Sequence, residues 1–217
     1  IEALRDKLGQ TVEIVHERGC WTEKTTPSIE AKNIKGPSGE SGLEVELFPN
    51  LDGSGPATAS RMGSSSELLY FGPPDEGLKR GAFSFRARGS YTPTESGLHT
   101  FTLMQAGRAR LLVDGKCVLD GTSNPPPPGE DFFSMISQEI EAPLALEAGR
   151  AVELEVEYSA EGAVILHGVK IGLRPPLDEN LLARAEAAAR DADAVVLLVG
   201  TNGDWETEGH DRVSMDL

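Results

Sequence analysis

The chain has 217 residues, 39% of them hydrophobic and 25% charged, with a formal net charge of −15 at neutral pH. That length and apolar content support one large globular domain or two modest ones with a real core. The negative charge repels a phosphate backbone or an anionic lipid surface, no Lys/Arg cluster offsets it, and no apolar run approaches the roughly 20 residues needed to cross a bilayer, so neither nucleic acid nor membrane is expected as a partner.

The N-terminal "IEALRDKLG" lacks the basic-then-apolar layout of a signal peptide, so nothing is expected to anchor or export the chain. Ile1, Leu4 and Leu8 have the spacing of a helix end that Gly9 stops, and "TVEIVHERG" then alternates Val12 and Ile14 against polar neighbours like a strand. Residues 1–36 therefore read as the first part of an α/β domain.

From 37 to 175 the periodicity changes to two. Short strands are predicted over Leu43–Phe48, Gly81–Arg88, Leu98–Met104, Ser137–Glu141 and Ala163–Leu173. "ARLLVDGKCVLDG" sets Asp114 and Gly115 between two apolar stretches, a strong hairpin signal. "AVELEVEYSA" points Val152, Leu154, Val156 and Tyr158 one way and Glu153, Glu155 and Glu157 the other, as on an antiparallel strand with one wet face. These features make a mainly β fold, an antiparallel β-sandwich, interrupted by the stiff polyproline excursion "NPPPPGED" from Asn124 to Asp131. "NIKGPSGESG" and "GLRPP" look like its joints.

Residues 176–217 return to α/β character. Asp178 reads as an N-cap, Leu181, Ala185, Ala188 and Ala192 share one helical face, and Ala194–Val199 reads as a parallel strand buried on both sides. The fold expected is a β-sandwich inserted into a partial, flavodoxin-like α/β domain. The flanks supply only part of a larger sheet, so they are expected to fray or to pair with a neighbouring chain as a homo-oligomer. In such sheets ligands bind beyond the C-terminal ends of the strands. Both the insertion, after Gly19, and the loop Gly200–Arg212 leave the sheet at that edge.

Several motifs are weak. "GTNGDW" has neither GxGxxG spacing nor a GK[ST] ending, which argues against nucleotide binding. Asp204, Glu206 and Glu208 alternate without the rest of a calcium loop, and the four histidines (His16, His99, His167, His210) lack ligand spacing, so no metal or cofactor is expected. Cys20 and Cys117 fall in different units and are not expected to bridge. The loop glutamates are sharper candidates: a carboxyl group held in a cleft among other acids has its pKa raised enough to donate a proton at neutral pH. Residue chemistry alone leaves Glu206 and Glu208 both open.

"WETEGHDRVSMDL", "IEALRDKLGQTVEIVHERGC" and "DADAVVLLVGTNGDWETEG" resemble segments of glycoside hydrolase family three β-glucosidases. "GLEVELFPNLDGSG", "GSYTPTESGLHTFTLMQAGRARLLVDGKCVLDG" and "LEAGRAVELEVEY" resemble a PA-fourteen module, the β-sandwich of anthrax protective antigen, which some of these enzymes carry as an insertion. The resemblance implies a retaining, exo-acting β-glucosidase acting on a β-glucoside or oligosaccharide, with Glu208 as general acid/base and Glu206 as its competitor. It implies that Asp211 and Arg212 shape the loop or touch sugar, that Trp205 packs or stacks on a ring, and that Phe132 or Phe133 of "GEDFFSM" reaches the outer sugar position. In an extended segment, one of these two phenylalanines is expected to be exposed. The family's nucleophile is an aspartate in a Ser-Asp-Trp-like context on a (β/α)8 barrel, a motif this sequence lacks. The chain is thus expected to be a fragment, inactive alone. Some PA-fourteen modules bind sugars through calcium on paired aspartates, but no Asp-Asp pair occurs here. A carbohydrate-binding or adhesion module without catalysis is the alternative.

Overall fold

A computed structural model describes residues 1–177, 180–205 and 214. Among the described residues the chain divides into two compact units, one formed by Thr25–Pro176 and the other by Ile1–Lys24 together with residues 177, 180–205 and 214.

The larger unit is built from strands β1 (Ile34–Lys35), β2 (Glu44–Phe48), β3 (Ala59–Met62), β4 (Glu67–Phe71), β5 (Ser84–Tyr91), β6 (Gly97–Ala106), β7 (Arg108–Val113), β8 (Lys116–Asp120), β9 (Ile140–Leu146), β10 (Val152–Ser159) and β11 (Leu166–Arg174). One sheet runs β3-β2-β5-β10-β7-β8, with β1 paired to the end of β5; the other runs β4-β11-β6-β9. Every pairing is antiparallel.

The alternation expected for β10 is present: Val152, Leu154, Val156 and Tyr158 are buried between the sheets, where Tyr158 stacks on Phe85 with ring centroids 4.5 Å apart. Glu155 and Glu157 face outward, opposite Arg88 and Arg86, and the resulting ion pairs include Arg88–Glu155 at 3.1 Å, Arg88–Glu46 at 3.1 Å and Arg110–Glu157. Such cross-strand pairs contribute about 0.2–1 kcal/mol each and penalise a one-residue slip, which would turn the whole apolar set outward. The hairpin between β7 and β8 also forms as expected. Asp114 and Gly115 have φ of 49° and 73°, the left-handed pair that a two-residue turn demands.

Strand β6 departs from the one-wet-face pattern. Phe101 and Leu103 join the core between the sheets, while Met104 and Ala106, on the opposite face, pack with Ile136 and Leu166 in a second apolar cluster. A covering segment therefore lies on the outer face of the four-stranded sheet. Two strand limits shift accordingly: β9 begins at Ile140 rather than Ser137, and β11 at Leu166 rather than Ala163. Thr25–Ile29 docks on the same unit through Ile29 N–H to Ser66 Oγ at 2.7 Å, Leu173 N–H to Pro27 O at 3.1 Å and Thr26 N–H to Glu139 Oε1 at 3.0 Å.

In the smaller unit, α1 spans Glu2–Leu8 and ends at Gly9, as expected. Helix α2 spans Leu181–Asp191, with Leu181, Ala185 and Ala188 half-buried along one stripe; the N-cap expected at Asp178 lies outside the described residues. The strand expectations for Val12–Ile14 and Ala194–Val199 are corrected, because neither segment joins a ladder among the described residues. A parallel strand needs neighbours on both sides to satisfy its backbone groups, and with none the run stays open, Leu198 being 87% exposed. The unit is tied instead by polar contacts, with Arg184 paired to Glu17 at 3.0 Å and Arg18 lying 4.3 Å from the Trp21 ring.

Candidate functional site

The outer face of the four-stranded sheet is covered by the polyproline excursion. Its launch is fixed chemically. The Asp120 carboxylate accepts bonds from Thr122 Oγ1 at 2.5 Å, Thr122 N–H at 2.8 Å and Ser123 Oγ at 3.0 Å. Those bonds, chiefly the ones from Thr122, hold its pKa down at about 2. Pro125–Pro128 then runs stiffly outward, and the returning segment closes a neck through Gly129 N–H to Ile136 O at 2.7 Å and Gln138 N–H to Pro127 O at 2.8 Å.

The neck is anchored by buried Gln105 of β6. Its backbone N–H donates to Ser137 Oγ at 3.0 Å and its backbone carbonyl accepts from Ser137 N–H at 2.9 Å. Its side chain donates to Gly121 O at 2.7 Å and accepts from Ala109 N–H at 2.9 Å. One residue thus joins β6, β7, the exit of β8 and the excursion, with every side-chain polar atom satisfied.

At the tip, Asp131–Ser134 makes a single turn, but a left-handed one: φ is 51° at Phe132, 55° at Phe133 and 61° at Ser134. The extended geometry assumed for "GEDFFSM" is therefore corrected, and with it the expectation that adjacent rings point to opposite faces. Both rings are on the surface, Phe132 at 38% and Phe133 at 66% exposed, and Phe132 lies 6.4 Å from the ring of Phe71, itself 71% exposed. Three successive left-handed non-glycine residues cost about 1–2 kcal/mol each. Bulky residues persist in such a conformation only where the surroundings enforce it, and such sites cluster at ligand clamps.

Beside the tip lies a groove of about 530 Å³, walled by Pro125–Pro128, by Ser134–Ser137 and by Gly162–Leu166. Val164 and Ile165, expected within a strand, precede β11 and are exposed on its rim. Ile165 O accepts from Gly72 N–H at 3.0 Å, which places this rim next to Phe71. The sequence reading missed Phe71, Val164 and Ile165; the only available signal was the unbroken apolar run "AVIL", which reads equally well as core.

Glu206, Glu208, Asp211 and Arg212 fall outside the described residues. Trp205 belongs to the smaller unit, is 38% exposed, and donates its indole N–H to Thr22 O at 2.7 Å, while Asn202 Oδ1 accepts from Asp204 N–H at 3.0 Å just before it. His99 and His167 are buried in the sandwich, and both Cys20 and Cys117 are free thiols. Among the described residues no group of three or more His, Cys, Asp or Glu side chains is placed to hold a metal ion.

The family model for the PA14 domain matches residues 39–178. A β-glucosidase of Rhizobium radiobacter is 31% identical over 221 aligned residues, covering 100% of this chain and 26% of that protein. The β-glucosidase B of Emericella nidulans is 30% identical over 229 residues, again covering 100% of this chain and 26% of the relative. Among solved structures, the β-glucosidase of Kluyveromyces marxianus superposes with a TM-score of 0.85 at 26% identity, across 100% of this chain and 26% of that one. The chain spans about a quarter of the length of these relatives.

Proposed function

The chain belongs to the PA14 domain family, and from that premise we propose that it is part of a retaining, exo-acting β-glucosidase whose PA14 module, residues 37–175, shapes the outer, leaving-group side of the sugar site. One observation carries this reading. Similarity to β-glucosidases runs the full length of the chain, through both α/β flanks and the Glu208 loop, rather than stopping at the limits of the sandwich. A module shared only for its own sake would match over the sandwich alone.

In this reading Glu208 protonates the leaving oxygen while a carboxylate nucleophile, on the barrel outside this chain, attacks the anomeric carbon. The two groups stand about 5–5.5 Å apart in retaining enzymes, and the same glutamate then takes a proton from water to release the sugar. The Phe132–Phe133 turn supplies an apolar surface against the leaving group, and its strain is the kind retained where a ring must be held in place. Asp211 and Arg212 shape the loop, and Trp205 positions its start.

The test is Glu208→Gln in the intact enzyme. The kcat/KM of substrates with poor leaving groups falls by orders of magnitude while that of activated aryl glycosides, which need no proton to depart, stays close to wild type; kcat on the aryl glycosides falls because water loses its general base, since general acid–base catalysis contributes roughly 10²–10⁴-fold. Equal loss on both substrate types, or this pattern in Glu206→Gln instead, overturns the assignment.

A further inference from the structure

A second cavity, of about 260 Å³, opens on the outer face of the six-strand path at the end of the sandwich where β5 and β7 begin and β10 finishes. Its volume is below the roughly 300–1,000 Å³ of pockets for drug-sized ligands, so it suits one small ring. Arg86, Arg108 and Arg110 face Asp52 and Glu157 across it. Two of these arginines are already paired, Arg110 with Glu157 and Arg86 with Glu155 at 3.4 Å, while Arg108 makes no ion pair among the described residues. In a molecule of net charge −15, the cavity thus keeps one uncompensated cation.

The second observation is an orphan. Ser84 is buried at 3% exposure, lines this cavity, and its Oγ has no hydrogen-bond partner among the described residues. A buried hydroxyl left so is a donor and acceptor that a ligand hydroxyl would satisfy. The lip above it is ordered beforehand: Asn50 Nδ2 donates to Ser54 O at 2.9 Å, and Asp52 Oδ1 accepts from Ser54 N–H at 3.1 Å. Gly53, at φ 64°, packs beside Ser84, with an ordinary contact distance of 3.5 Å between the serine oxygen and the place a Cβ would occupy.

We infer that this cavity binds a mono-anionic polyhydroxy molecule of one-ring size, a sugar acid, with its carboxylate on Arg108 and its hydroxyls on Ser84 and the carboxylates of Asp52 and Glu157. Arg108 Nη1 makes a long bond of 3.5 Å to Gly107 O, and with no carboxylate of the described residues on it the guanidinium can still take one through two parallel bonds; alternating donors and acceptors around it suit vicinal hydroxyls better than a bare anion.

The experiment is calorimetric titration of the full chain with glucuronate, glucose and acetate, with backbone amide shifts followed by NMR. Glucuronate saturates at millimolar concentration or below and shifts the amides of Gly53, Ser84 and Arg108; glucose, which lacks the charge, and acetate, which lacks the ring, bind at least tenfold more weakly. Arg108→Gln loses at least tenfold in affinity. Ser84→Ala weakens binding without lowering the thermal midpoint, because no protein group is left unpaired by it. Glucose binding as tightly as glucuronate, shifts confined to other surfaces, or no saturation by glucuronate each overturns the assignment.

Discussion

Phe132 and Phe133 are the residues at which sequence logic and backbone geometry disagree most. Nothing in "DFFS" suggests a left-handed turn, a conformation whose usual residues are glycine and asparagine, and the strain shows only once the neck beneath it is in view. Replacing Phe133 with glycine removes a mostly exposed ring and relieves about 1–2 kcal/mol of left-handed strain against roughly 0.5–1 kcal/mol of added chain entropy. Phe133→Gly is expected to keep or raise the thermal midpoint while reducing the catalytic efficiency of the intact enzyme on disaccharides more than on small aryl glycosides. A lowered midpoint with unchanged substrate preference would show that the ring serves packing alone. His167 gives a second prediction at this scale. Burial pushes its pKa down, assisted by the nearby Arg80 charge and opposed by its bond to Ile165 O, so the folded state favours the neutral ring. The unfolded chain takes up a proton near the ordinary value of about 6.5. Stability from this group is therefore complete above that pH and falls as pH drops below it. Thermal melts from pH 7.5 to 5 should show this slope, flattened in His167→Phe; the same slope in both proteins excludes His167 as its source.

At the level of strands and loops, legibility followed burial. Strand β10 has one apolar and one polar face, so its alternation was plain in the sequence, and the Asp114-Gly115 hairpin was plain because few residues accept two positive φ angles in succession. Strand β6 was found but its outer face was not, because "LHTFTLMQA" is covered on both sides by partners remote in sequence, Ile136 and Leu166 among them. Residues 194–199 show the opposite case: their pattern is that of a buried strand, yet pattern alone cannot supply the neighbours that make one. Gln105 is the anchor of the excursion at this scale. Gln105→Ala leaves Ala109 N–H and Gly121 O unpaired in the interior and empties the volume of the amide, at about 1–3 kcal/mol for each unsatisfied group. Hydrogen exchange should then quicken across Asn124–Gln138 well before β10 responds. Uniform quickening of the whole sandwich would mean that the excursion is not an independently anchored element.

For the molecule as a whole, the mainly β sandwich and the β-glucosidase likeness were both legible in the sequence, the first from periodicity and the second from resemblance. Trp205 donating to Thr22 across 183 positions was not, since no local pattern encodes a contact of that range. Neither was the left-handed tip that brings Phe132 beside Phe71. The two phenylalanines matter to catalysis only if the loop bearing Glu208 delivers the proton. The most direct measurement is azide rescue in the intact enzyme carrying Glu208→Ala. Azide should restore turnover of an activated aryl β-glucoside and yield the β-configured glucosyl azide, because the small anion needs no general base to attack the covalent intermediate. No rescue with Glu208→Ala, together with rescue in Glu206→Ala, would contradict the assignment.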